Sequence, residues 1–212
     1  MQYDGATGWL VGEPHKGMAT MFTMMNNARL GVGVQGISVA EAAFQQALAY
    51  AMERKQGRTP LGNGAIIDHA DVRRMLGQMK AEIFAARAIA LACAVAIDMG
   101  RATGDAAWAA RAAFLTPIAK AYGTDIGNEV AYLGVQVHGG MGFIEETGAC
   151  QYMRDSRITP IYEGTTAIQA NDLVGRKLAK DKDEAGKTGV GAAALVAKIQ
   201  ATVAELNQDA KL

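Results

Sequence analysis

The stretch "VRRMLGQMKAEIFAARAIALACAVAI", residues 72–97, decides the fold. Val72, Leu76, Met79, Ile83, Ala86, Ala90, Cys93 and Ile97 recur in alternating steps of four and three. That is a heptad-like seam, and it predicts a long helix packed along antiparallel neighbours. The chain around it is rich in Ala and Met and poor in aromatics, which also favours helix over sheet.

Outward from this seam, other helices follow. Met18, Met21, Phe22, Met25, Val32, Val39, Phe44 and Leu48 predict a first helix from about Lys16 to Gln56. Glycines 31, 33 and 36 weaken it locally and allow a helix or ligand to come close. "QGRTPLGNG" breaks it. After the seam, a short helical piece is expected at Ala106–Phe114. Thr116 then reads as an N-cap, with Pro117 opening a third long helix to His138. Thr166 and Gln169 read as a capping box, starting a last firm helix over about Ala167–Lys180. "GWLVGE", residues 8–13, reads as one short strand. The expectation is an all-α, up-and-down bundle over 16–180. Residues 1–15 are a lead-in, and 181–212 a polar linker with a weak helix.

Composition excludes several classes. Lys plus Arg and Asp plus Glu both number 21, so nothing draws the chain to nucleic acid or an acidic membrane. Cys93 and Cys150 form no disulfide framework. The three histidines lack metal-ligand spacing. No apolar run long enough to span a membrane is read, and the N-terminus lacks a signal-peptide layout, so the cytoplasm is expected.

Three features carry possible chemistry. In "RITPIYEGTTAIQ", residues 157–169, Glu163 precedes a helix N-terminus whose unpaired amides favour a carboxylate. Gly164 clears space beside it. Glu163 is therefore either an accessible general base or a solvated turn acid. Arg29 lies at the edge of the first helix's apolar stripe. It needs Glu163, a ligand phosphate or a structural acid as partner, unless Ala28 takes the core and Arg29 snorkels. "QVHGG", residues 136–140, is either a helix C-cap or an amide cradle for phosphate.

Together "GWLVGEPHKGMATMFTMMNNARLGVGVQG", "YAMERKQGR", "QVHGGMGF" and "YMRDSRITPIYEGTTAIQ" resemble the C-terminal helical domain of the flavin-dependent acyl-CoA dehydrogenase family. The resemblance spans residues 8 to 178 in order and spacing. "MFTMMNNARLGVG" and "ERKQGR" look most like the branch that includes 3-methylmercaptopropionyl-CoA dehydrogenase. The resemblance implies Glu163 as the base that takes the α-proton of an acyl-CoA thioester, with hydride passing to FAD. It implies Tyr162, Gly164 and Arg29 on the substrate side. Arg54 and the position of Gln56 would face the FAD pyrophosphate of an adjacent subunit, Gln136, Gly139 and Gly140 its adenosine part, and Thr165 the cofactor near the base. It further implies an electron-transfer flavoprotein or similar acceptor and a homo-oligomer, dimer or tetramer.

The chain departs from the pattern in two residues. Gln56 stands where many members carry a Phe, and Ala167 where many carry a Gln. On this resemblance residues 1–15 are the remnant of a preceding β-domain and its linker, the chain corresponds to the last third of such an enzyme, without the first helical domain and the rest of the β-domain, and it is expected to be inactive alone. The rival expectation is a non-catalytic helical oligomerisation module. Kinship with the DNA-binding branch of the family is disfavoured by the neutral charge.

Overall fold

The structure, a computed structural model, describes residues 2–62, 64–182, 186 and 189–208. Its frame is three long helices: α1 (Gly17–Glu53), α2 (Ala70–Thr103) and α3 (Ala106–His138). Short helices follow: α4 (Gly140–Phe143), α5 (Ala149–Ser156) and α6 (Thr166–Asp172). The last runs into a π-helical turn, Leu173–Leu178, and α7 (Val190–Leu206) closes the described chain. The expected up-and-down helical bundle is what forms.

The α2 seam is the core. Leu76, Met79, Ile83, Ala86, Ala90 and Cys93 are buried, with Val72 and Ile97 at its partly covered ends. Gly104 ends α2 in a left-handed conformation, its N–H bonded to Gly100 O. Burial pushes the Cys93 thiol up from its ordinary pKa, so it stays protonated and inert.

The buried face of α1 holds the expected Val32, with Ile37, but is otherwise mostly small residues rather than the methionines that suggested it. Met18 and Met21 are exposed and Met25 is half-buried, whereas Gly33, Gly36, Ala40, Ala43, Ala47 and Ala51 are buried. The reason is close approach. A Cβ on Gly33 would sit 2.7 Å from Ala119 O, and one on Gly36 would strike Gly123 O and lie 2.8 Å from Thr124 Cα. Gly123 and Gly127 return the contact from α3, so the two backbones touch. Gly31, by contrast, faces open space. Gly36→Ala is therefore expected to destabilise by about 1–3 kcal/mol, since backbone cannot yield as a side chain can. Gly31→Ala is expected to stabilise by about 1 kcal/mol through helix propensity. Urea unfolding of both variants checks the contrast, and equal effects would refute it.

Five local expectations are corrected. Residues 8–13 form no strand: Trp9, Leu10 and Val11 are 84, 72 and 82% exposed, and no neighbouring strand is present among the described residues to take their backbone bonds. The break before Pro117 does not exist. Asp105 caps α3, its side chain accepting from Ala107 N at 2.8 Å, and the helix runs straight through the proline. Thr116 caps nothing. Its hydroxyl donates to Ala112 O at 2.7 Å, and tight packing of α3 outweighs the one lost N–H. The last helix starts one residue early, with Thr165 as N-cap accepting from Ile168 N at 3.3 Å. Gln169 is buried and turned to other carbonyls, so no capping box forms. Finally, α2 is long and apolar enough to cross a membrane by length and composition. Its inner face is nonetheless the bundle core, and the outer face leaves Phe84, Leu91 and Val95 exposed.

α7 lies on a second apolar cluster, where Ala192 and Leu195 pack with Phe114 and Leu115. Asp181 holds its start, accepting from Gly189 N and Gly191 N at 2.8 Å each. Parts of the expected polar linker, 183–185 and 187–188, lie outside the described residues.

Candidate functional site

The loop from α5 to α6 is tied down at both ends. At its entry Thr159 turns back on Ser156 O through both its N–H (3.1 Å) and its hydroxyl (2.7 Å). From α3, Asn128 donates to Ser156 O at 3.1 Å and Lys120 to Thr159 O at 2.9 Å. At its exit Thr166 N donates to Pro160 O at 3.1 Å, and the Thr166 hydroxyl donates to Asp125 on α3 at 2.9 Å. Between them the Tyr162 hydroxyl bonds the Gln35 side chain on α1.

Glu163 sits at the turn of this loop with φ +55°, a conformation that costs a residue bearing a Cβ about 1–2 kcal/mol. Gly164 follows at φ +88°. Gln169, 1% exposed, donates to Gly164 O at 3.1 Å and to Glu163 O at 3.4 Å. The φ favours glycine here, and a Cβ on Gly164 would fall 2.7 Å from that amide nitrogen and push it off the two carbonyls. The Glu163 side chain is half-buried, and its Oε2 is shut from solvent with no hydrogen-bond partner. Such an atom in a strained turn marks a candidate site.

Of the partners left open for Arg29, the structure supplies a structural acid. Arg29 is 3% exposed, so it does not snorkel, and its Nη1 lies 2.8 Å from Asp172 Oδ2. The second Asp172 oxygen is 2.8 Å from Arg176 Nε, and Arg176 stacks over Phe22 at 5.5 Å. The Arg29 Nε is buried without a partner.

Arg54, Gln56, Gly139 and Gly140 meet elsewhere, in a groove of about 490 Å³ at the far end of α3. Gly139 has φ +61°, caps α3 by donating to Gln136 O at 3.1 Å, and leaves its face and that of Gly140 open. "QVHGG" is thus a C-cap and an open surface at once. Gln136 itself is exposed and does not line the groove. Sequence reading missed the groove's Tyr50, His69 and His138. His69 Nε2 is 2.9 Å from Gln56 O, and His138 stacks on Tyr50 at 4.4 Å. No signal in the sequence joined them, because they come from three separate segments. From Asp125, beside the loop, to His138 is about 20 Å along α3 at 1.5 Å per residue. The expected site residues therefore fall into two patches. No cluster able to hold a metal ion occurs among the described residues.

The sequence matches the family described as acyl-CoA dehydrogenase, C-terminal domain, over residues 15–178, and the chain belongs to that family. It is 50% identical to 3-methylmercaptopropionyl-CoA dehydrogenase of Ruegeria pomeroyi, over 98% of this chain and 36% of that protein. It is 37% identical to a butyryl-CoA dehydrogenase of Syntrophomonas wolfei, over 85% of this chain and 32% of that one. Among solved structures, butyryl-CoA dehydrogenase from Megasphaera elsdenii superposes with a TM-score of 0.67 at 30% identity, covering 77% of this chain and 39% of that one. The chain thus spans about a third of the length of the curated relatives it matches. The relatives are oxidoreductases, and the family is one of flavoproteins.

Proposed function

We propose that this chain supplies the base-bearing domain for α,β-dehydrogenation of an acyl-CoA thioester, with FAD as cofactor. The observation that carries the reading is the Glu163 carboxylate, held on a strained and braced loop with one oxygen buried and unpaired. In this role Glu163 accepts the α-proton, and its backbone N–H donates to the thioester oxygen as negative charge develops there. Gly164 leaves room for the flat thioester, Tyr162 borders the acyl chain, and Thr165 faces the cofactor beside the base. Arg29 backs this side through its pair with Asp172. The flavin, when bound, supplies the hydride acceptor.

The groove fits a second role. Its open glycine faces, the Arg54 guanidinium and two histidines suit the anionic dinucleotide of an adjacent subunit. Gln56 and Gln136 lie at or beside this patch and would contact the same group. An electron-transfer flavoprotein as acceptor belongs to the same proposal. It is supported by a relative named as a caffeyl-CoA reductase–Etf complex subunit of Acetobacterium woodii. So does a cytoplasmic location, consistent with bacterial relatives.

A non-catalytic association role is favoured by one further observation, the outer face of α2. Phe84, Leu91 and Val95 stand 52–72% exposed on one stripe, and such patches usually find partners. The 212-residue chain is accordingly expected to form a dimer or larger and to show no acyl-CoA turnover with excess FAD. Size-exclusion with light scattering and an acyl-CoA assay check this. A monomer at micromolar concentration would refute the association, and turnover would refute the inactivity.

A further inference from the structure

Lys120 is wholly buried, with 0% exposure. Its backbone lies against α1, 3.3 Å from where a Cβ of Gly33 would stand. Its ammonium makes one hydrogen bond, to Thr159 O at 2.9 Å, and no carboxylate oxygen lies within 4.0 Å of it among the described residues. A buried ammonium with a single neutral acceptor is costly, and methionine would fill the same space at less cost. Something other than packing therefore selects a lysine here.

The acceptor tells what. Thr159 is four residues before Glu163 and begins the loop that holds it. Lys120 and Asn128, eight residues apart on one face of α3, grip the loop's entry, while Asp125 grips its exit. Three charged groups act on the ammonium. Asp125 of α3 and Glu163 of the loop attract it, and Arg29 of α1 repels it. We infer that Lys120 is a positioning residue for Glu163, anchoring the loop through the Thr159 carbonyl and presenting a positive charge to the carboxylate. This rests on the reading of Glu163 as the base.

Burial pulls the Lys120 pKa below its ordinary value, with Asp125 and Glu163 opposing the shift. In the window between its folded pKa and the unfolded value of 10.5, the unfolded chain binds more protons. Stability contributed by this site therefore rises with pH across that window. Lys120→Met removes that rise.

Two readouts without turnover test the inference on the 212-residue chain. First, amide exchange of Tyr162 and Thr166 is expected to speed about tenfold in Lys120→Met relative to core amides of α3. Lys120→Gln, whose side-chain amide can still donate to Thr159 O, restores most of that protection. Second, in Glu163→Gln the Lys120 Cε titration followed by carbon NMR is expected to move to lower pH, because the carboxylate that favours the ammonium is gone. Unchanged loop exchange in both Lys120 variants, or a Lys120 titration that ignores Glu163→Gln, overturns the inference. If Lys120→Met does not fold, the Lys120 titration in Glu163→Gln decides it. Neither readout depends on catalysis, so failure of the base assignment is detected separately, by the rate measurement below.

Discussion

Glu163→Gln is expected to lower the rate of flavin reduction by about 100- to 10,000-fold, the span typical of losing a general base. The measurement needs a complete enzyme. This chain can replace the matching C-terminal part of the Ruegeria pomeroyi dehydrogenase, to which it is 50% identical. Glutamine keeps the shape of the side chain and the backbone N–H of residue 163, so substrate binding should change little. Loss is expected in the chemical step with KM nearly unchanged, the signature of a group acting in the transition state. The braces of the loop do not involve the Glu163 side chain, since Gln169 holds the main-chain carbonyls. The variant should therefore fold as the parent does. Near-normal reduction of the flavin would remove Glu163 from the role.

The second large effect is on stability. Asp172→Asn is expected to destabilise the chain by about 3–5 kcal/mol, because it strands the buried Arg29 guanidinium without an anion. The pair is 2.8 Å apart with both side chains about 95% buried, at 4% and 5% exposure. It joins α1 to α6 across 143 residues of sequence, so its loss should loosen the whole base-bearing end. Arg29→Met combined with Asp172→Leu should recover most of the loss, since a buried pair can often be replaced by apolar residues of similar volume. Guanidinium unfolding measures both. A loss below about 1 kcal/mol in Asp172→Asn would show that water, not the aspartate, carries the arginine's charge.

What the sequence disclosed and what it hid follow from the range of the interactions. The α2 seam was legible because its helix is long and its inner face is lined with apolar residues at regular steps. Pro117 misled because proline usually opens helices, and only the tight α1–α3 contact explains its place inside one. α5 went unseen because "ACQYMRDS" is only about two turns long, too short to show a periodic apolar pattern. The Glu163 loop was found by local signals: a lone acid, a glycine and a following cap. Its supports were not. Asp172 for Arg29 and Lys120 for Thr159 are distant in sequence, and Lys120 reads in "PIAKAYG" as an ordinary surface lysine. The two threonines at 165 and 166 each have the chemistry of a cap, and only the geometry chose the first.

Where α1 meets α3 through Gly33, Gly36, Gly123 and Gly127, nothing but backbone lies between the helices. Side chains can change rotamer and let helices slide, but main chain in contact with main chain has no such slack. At that level the two helices behave as a single beam. Gln35 sits between the α1 glycines and reaches Tyr162, while Asp125 and Asn128 flank Gly127 and reach the loop. The glutamate's loop is thus mounted directly on that beam. If Glu163 is the base, as proposed above, it is a fixed datum, and any motion that admits a substrate must come from elsewhere than its mounting.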